Sequence, residues 1–209
     1  MANSKAYTIF LKQIRAIGYD KKDGYYANLF DEIYEFEREE IERLIWNKFT
    51  QESDVGLVQF IPRLKNYNGI DALLKSDFLY QIPSYACVET CRTLYEYLGD
   101  GKFLDIIKEN IDMCPNEIGY VSILSECRPS EKLKDMLMDI FINNPDSINR
   151  NTAFMGLLHI AGVIKDLNSI DDVNSTIELR RRYKSDKREE RIERMREFDE
   201  EYLNSIILE

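Results

Sequence analysis

Apolar residues recur along this chain at helical spacing almost from end to end. Tyr7, Phe10, Leu11, Ile14 and Ile17 fall three and four apart, which predicts an amphipathic helix over residues 5–17, ended by Gly18 and followed by a polar turn from Asp20 to Gly24. Phe30, Ile33, Ile41, Leu44, Ile45 and Phe49 mark the buried stripe of a long helix over residues 26–50. Residues 54–79 read as an irregular unit: Asp54 caps a helix through Phe60, Pro62 ends it, and Gly69 opens a second short helix with Leu73 and Leu74 inward.

From residue 83 the pattern repeats. Proline recurs at Pro83, Pro115 and Pro145, 32 and 30 residues apart, and each opens an apolar run of helical period. The runs break at Gly99-Asp100-Gly101, Arg128-Pro129-Ser130 and Ala161-Gly162. Each proline is expected in the first turn of a helix, where its missing N–H costs nothing. Ala86, Cys91, Leu94 and Leu98 form the first buried stripe, and Leu104, Ile107 and Ile111 pack back from a second helix. Ile118, Ile123 and Cys127 take similar places in the next unit, with Leu133, Met136, Leu137 and Ile140 following an N-cap at Ser130. Ile148, Ala153, Leu157 and Ile160 open the third. Self-similarity at this period is the mark of stacked helical repeats.

These residues resemble HEAT or armadillo-type repeats: a proline-opened helix, a small residue in its middle, a glycine-bearing turn and a second Leu/Ile helix. Pro83–Met113 and Pro145–Gly162 match best, and Asp146, Ile148 and Arg150 resemble the Asp–Val–Arg cluster of many such repeats. The resemblance covers roughly residues 54–170. A tetratricopeptide array has a similar period, but the only tryptophan, Trp46, lies outside the repeats. The resemblance implies an all-α, right-handed helical-repeat solenoid with flanking N- and C-terminal helices. The expected division is 1–53 as an N-terminal helical segment, 54–168 as the repeat region and 169–209 as C-terminal mixed-charge helices.

The last segment differs in material. Val173, Ile177 and Tyr183 follow a helix start at Ser169 or Asp171, then Lys184–Arg191 holds no apolar residue. The stripe resumes at Ile192, Met195, Tyr202, Leu203 and Ile206. The polar gap predicts that residues 184–209 can be removed with the body still folded, and that the final stripe packs back on the body or pairs with a second copy in a homodimer.

Charge narrows the function. The net charge is -10; residues 178–198 carry +3 and residues 199–209 carry -4, so residues 1–177 hold -9. An acidic body argues against nucleic-acid and anionic-membrane binding, which need basic surface. Asp31, Glu35, Glu39 and Glu42 recur at spacings of 4, 4 and 3 as an acidic ridge. Asp105, Glu109 and Asp112, then Asp135 and Asp139, lie on the second helices of the repeats, diluted by Lys102, Lys108 and Lys134. These nine acids are the candidate contacts for a partner protein with a basic surface; a solvated face serves solubility equally well.

Nothing here reads as catalytic chemistry. His159 is the only histidine and sits between Leu158 and Ile160, without the partners a triad or a zinc site needs. Cys87 and Cys91 are four apart on one helix, but no C-x-x-C pair exists, and Cys91 and Cys127 fall at core positions. The glycines form no phosphate-binding fingerprint. No cofactor or metal is expected. The N-terminus lacks the unbroken apolar run of a signal peptide, and no stretch approaches a membrane span, so the cytoplasm is the expected address.

The reading that emerges is a non-enzymatic, cytoplasmic protein-binding module. Fold-level analogy extends it to a bacterial immunity protein that neutralises a cognate basic toxin domain. The alternatives are a structural or regulatory adaptor, or a nucleic-acid-lesion binder on the same scaffold.

Overall fold

The computed structural model describes residues 3–16, 24–204 and 206. Residue 17, the stop at Gly18 and most of the turn from Asp20 lie outside them. The chain is 73% helical, with no strand among the described residues. It divides into two compact units, Met1–Leu79 and Tyr80–Glu209.

In the first unit, α1 (Lys5–Arg15) is capped by Ser4, whose side chain accepts the Tyr7 N–H. The long helix expected over 26–50 is broken into α2 (Ala27–Glu32) and α3 (Glu35–Glu52). Ile33 and Tyr34 are extended between them. The reason is one carboxylate: Glu37 accepts the Tyr34 N–H at 3.0 Å and the distant Ser4 N–H and Oγ–H at 2.7 Å each, so α3 restarts there and α1 is tied to it. Asp54 caps a 3₁₀ helix, Val55–Arg63, that carries Pro62 inside it, and α4 (Gly69–Leu74) follows. Gly69 is required there, because a β-carbon would stand 1.9 Å from the Ile61 carbonyl oxygen. A second 3₁₀ turn spans Asp77–Tyr80. Phe10, Phe30 and Phe60 form the aromatic centre, with ring centroids 5.3 to 5.9 Å apart.

The second unit holds the repeated pattern: α5 (Tyr85–Leu98), α6 (Lys102–Met113), α7 (Ile118–Ser125), α8 (Glu131–Asn143) and α9 (Ser147–Ile160). Ser84, Ser130 and Asp146 cap α5, α8 and α9 through their side chains, and Gly99 ends α5 at φ +69. The prolines therefore stand just before the caps, not in the first helical turn: the cap residue must be extended, and Pro83 and Pro145 immediately precede it. The principal packing sets α5 on α6, α5 and α6 on α7, and both α7 and α8 on α9. Polar links join positions 32 to 35 residues apart in sequence. Tyr95 Oη donates to Ser130 Oγ at 2.9 Å, the Arg128 N–H donates to Glu96 at 2.6 Å, and Asn149 Nδ2 donates to the Pro115 carbonyl at 2.7 Å.

Leu94, Leu104, Ile107, Ile123, Leu137, Leu157 and Ile160 are buried as expected. Leu98 is not; it is 46% exposed as the last residue of α5. Ile118 and Ile148, also expected inward, are exposed because they fall in the first turns of α7 and α9, outside the packed middle of each helix.

The tail is docked. α10 (Ile170–Ser175) and α11 (Ile177–Tyr183) lead to α12 (Arg188–Phe198), which runs into a π-helical turn, Asp199–Leu203, and packs on α8. Phe198 lies 4.9 Å from Phe154 and 5.2 Å from Tyr183 between ring centroids, and Phe154 meets Phe141 at 5.2 Å. The final stripe packs back on the body, one of the two expected arrangements, and within the polar stretch buried Arg191 donates Nε to the Ile142 carbonyl at 2.9 Å. That bond anchors the polar segment itself.

Candidate functional site

The nine predicted acids fall into two groups, one in each unit. Asp31 lies on α2 and pairs with Arg63; Glu35 on α3 pairs with Lys65 at 2.6 Å, which holds its carboxyl below the usual range. Glu39 is exposed on α3. Glu42 is not on the ridge. It is 1% exposed, three residues before Ile45 and seven before Phe49 on the buried stripe, and its Oε2 accepts the Lys65 N–H at 3.0 Å. The break at Ile33–Tyr34 also interrupts the register that put Asp31 in line with the rest. The ridge is thus shorter than its spacing suggests and partly neutralised.

The second group is assembled as one surface. Lys108 of α6 reaches Asp112 on its own helix at 2.6 Å and Asp139 of α8 at 3.1 Å; Lys132 of α8 reaches Asp105 of α6 at 2.6 Å. These ion pairs link α6 to α8. Burial alone would lower the Lys108 pKa, and the hydrogen bonds to Asp112 and Asp139 outweigh it and raise it. Residues 100–112 and 131–139 carry seven acids against four lysines, a surplus of three negative charges. Glu109 and Asp135 are exposed and enter none of these pairs.

The candidate reactive groups are engaged in structure. His159 Nδ1 donates to the Ile164 carbonyl at 3.0 Å, which ties the end of α9 to the following loop. Cys87, Cys91 and Cys127 are buried on α5 and after α7. The hydrogen bond between the Cys87 and Cys91 thiols and burial push Cys91 up, and burial pushes Cys127 up, so neither is a ready thiolate.

The other feature of this unit is a small, open pocket with cationic walls between α8, α9, α11 and α12, with about 20 Å³ accessible to the centre of a water molecule inside about 330 Å³ that includes the solvent at its mouth. Arg150, Arg180, Lys184 and Arg191 line it, with Phe141 and Phe154 as its apolar wall. Sequence reading missed it. Its cations come from three separate segments, and three of them belong to a tail that reads as merely mixed in charge. The one local signal is the density of arginine in residues 180–191 beside a run without apolar residues.

Comparison with protein-family models, curated proteins and solved structures finds no match to this chain. Among the described residues no helix is long and apolar enough to cross a membrane.

Proposed function

We propose that the chain is a helical-repeat, HEAT-like binding module that acts by holding another protein and performs no catalysis. The observation that carries this reading is the joining of α6 and α8 by the Lys108–Asp139 and Lys132–Asp105 pairs into one face with a surplus of carboxylates. Polar links spaced one repeat apart support a right-handed solenoid in which second helices share a side. A face of this charge selects a basic partner and steers its approach. A basic toxin domain, as the immunity-type version of the reading requires, has that chemistry.

The test is affinity capture with two baits, the wild-type chain and a variant carrying Glu109→Lys and Asp135→Lys. A basic protein retained by the first, lost from the second and released by moderate salt is the expected result. Capture that is indifferent to both substitutions and to salt removes the α6/α8 face from the reading.

A further inference from the structure

The cations around the α8/α9/α11/α12 pocket have almost wholly uncharged partners. Arg191 is 6% exposed; Nε donates to the Ile142 carbonyl, and Nη1 donates to the Ser185 and Asp186 carbonyls at 3.2 and 2.8 Å. Arg150 Nη1 donates to the Asn144 and Pro145 carbonyls at 2.9 and 2.8 Å. Arg180 sends Nη2 to the Val173 carbonyl at 3.3 Å and Nη1 to the Met155 sulfur at 3.8 Å, while its Nε is buried with no acceptor. The Lys184 side chain is exposed at the mouth. Two carboxylates act on the cluster: that of Asp186, 3.9 Å from Arg150 Nη2 with its side chain 91% exposed, and that of Glu189, exposed in the first turn of α12.

Carbonyl oxygens satisfy N–H groups but do not neutralise charge. Buried cations ordinarily find an anion, because desolvation is recovered only by a close opposite charge. Here burial and the charges of Arg150 and Arg188 pull the Arg191 pKa below its usual range, outweighing Asp186 and Glu189. The missing partner is an anion.

We propose that this pocket binds a small phosphoryl-bearing anion. Three guanidiniums and an ammonium offer more donors than one carboxylate can accept. The three oxygens and double charge of a phosphoryl group match them, and planar guanidinium forks favour that geometry. The shared chemistry belongs equally to inorganic phosphate and to a phosphate monoester. The site stands apart from the acidic α6/α8 face and does not depend on the function proposed for it.

Calorimetric titration of the full chain with inorganic phosphate and with glycerol 3-phosphate tests the proposal, with acetate at matched ionic strength as the control. The expected result is saturable one-site binding of at least one phosphoryl ligand with Kd of about 1 mM or tighter, absent with acetate. Arg180→Gln and Lys184→Gln should each weaken it about tenfold. Tighter binding of the monoester assigns the pocket to a phosphorylated small molecule; equal or weaker binding assigns it to the free anion. Lys184 is exposed, so its variant keeps the fold, as circular dichroism will verify. The proposal is overturned if neither ligand saturates below about 10 mM, or if Lys184→Gln and Arg180→Gln bind as the wild type does.

Discussion

Gly156 of α9 faces Ser125 of α7 so closely that a β-carbon at Gly156 would stand 2.8 Å from Ser125 Oγ and 2.9 Å from its Cβ. Leu137 Cδ1 closes the same space at 3.0 Å. The contact sets how near the two helices approach, and Ser125 Oγ also donates to the Val121 carbonyl at 2.8 Å. Gly156→Ala gains about 1 kcal/mol of helix propensity and meets an overpacking cost of about 1–3 kcal/mol. The net expectation is a loss of about 1 kcal/mol, read as a lower midpoint in urea. A higher midpoint would show that α7 and α9 part freely.

Phe198 closes the second unit. Phe198→Ala should cost about 3–5 kcal/mol, since the ring is buried against Phe154 and Tyr183. Removing residues 184–209 takes away Phe198 and Arg191 together and bares Phe141 and Phe154. The truncated chain should bind a hydrophobic dye and lose its sharp thermal transition. An unchanged transition would mean that the docked tail adds nothing to the body.

Glu42 separates a structural acid from a surface acid. Its Oε2 holds the Lys65 N–H, and its Oε1 is buried with no hydrogen-bond partner. Glu42→Gln keeps an acceptor for Lys65 and removes a buried charge, so stability should stay within about 0.5 kcal/mol of the wild type. Glu42→Ala orphans the Lys65 N–H and should lose about 1–3 kcal/mol. Chemical denaturation of both variants checks the order.

How much of this was legible in the sequence depends on how local the cause is. Gly99 and Ser130 bound α5 and α8 through bonds to residues three and four positions away and could be read directly, whereas the starts of α5 and α9 fall at the Ser84 and Asp146 caps, just after the prolines expected in the first turn. The break at Ile33–Tyr34 is invisible because Glu37 makes it by binding Ser4, 33 residues away. Glu42 looks like one more exposed acid until the distant Lys65 backbone arrives. The cationic pocket needs Arg150 and Arg191 on one wall, 41 positions apart, and no periodicity announces that meeting.

Acid should weaken the first unit through Glu37. Burial raises its pKa, but hydrogen bonds from the Ser4 side chain, the Ser4 backbone and the Tyr34 backbone outweigh this and hold it below the ordinary 4.5. A depressed folded pKa gives stability that is complete above the unfolded value and is lost as pH falls through the folded one. Stability of α1 docking should therefore be flat near neutrality and fall below about pH 4.5. Glu37→Gln should be less stable at neutral pH and show a shallower acid limb. Parallel limbs for the two chains would remove Glu37 from the acid response.

The last prediction concerns association at the α6/α8 face. Reversing Asp105 or Asp139 would set a lysine against Lys132 or Lys108 and confuse charge with local repulsion. Glu109 and Asp135 lie outside those pairs, so Glu109→Lys with Asp135→Lys turns a surplus of three negative charges into one positive charge. Exposed substitutions of this kind change stability by about 0.5 kcal/mol or less, so the fold should survive. Long-range attraction acts before contact and therefore on the association rate. Screening cuts its reach to about 8 Å near 0.15 M ionic strength. With a captured basic partner, the wild-type rate should fall steeply as salt rises. The double variant should associate about tenfold more slowly at low salt and lose most of that salt dependence, while dissociation changes little. Stopped-flow mixing across a salt series measures both limbs. If the two chains associate at one rate at every salt concentration, the partner does not approach over α6 and α8.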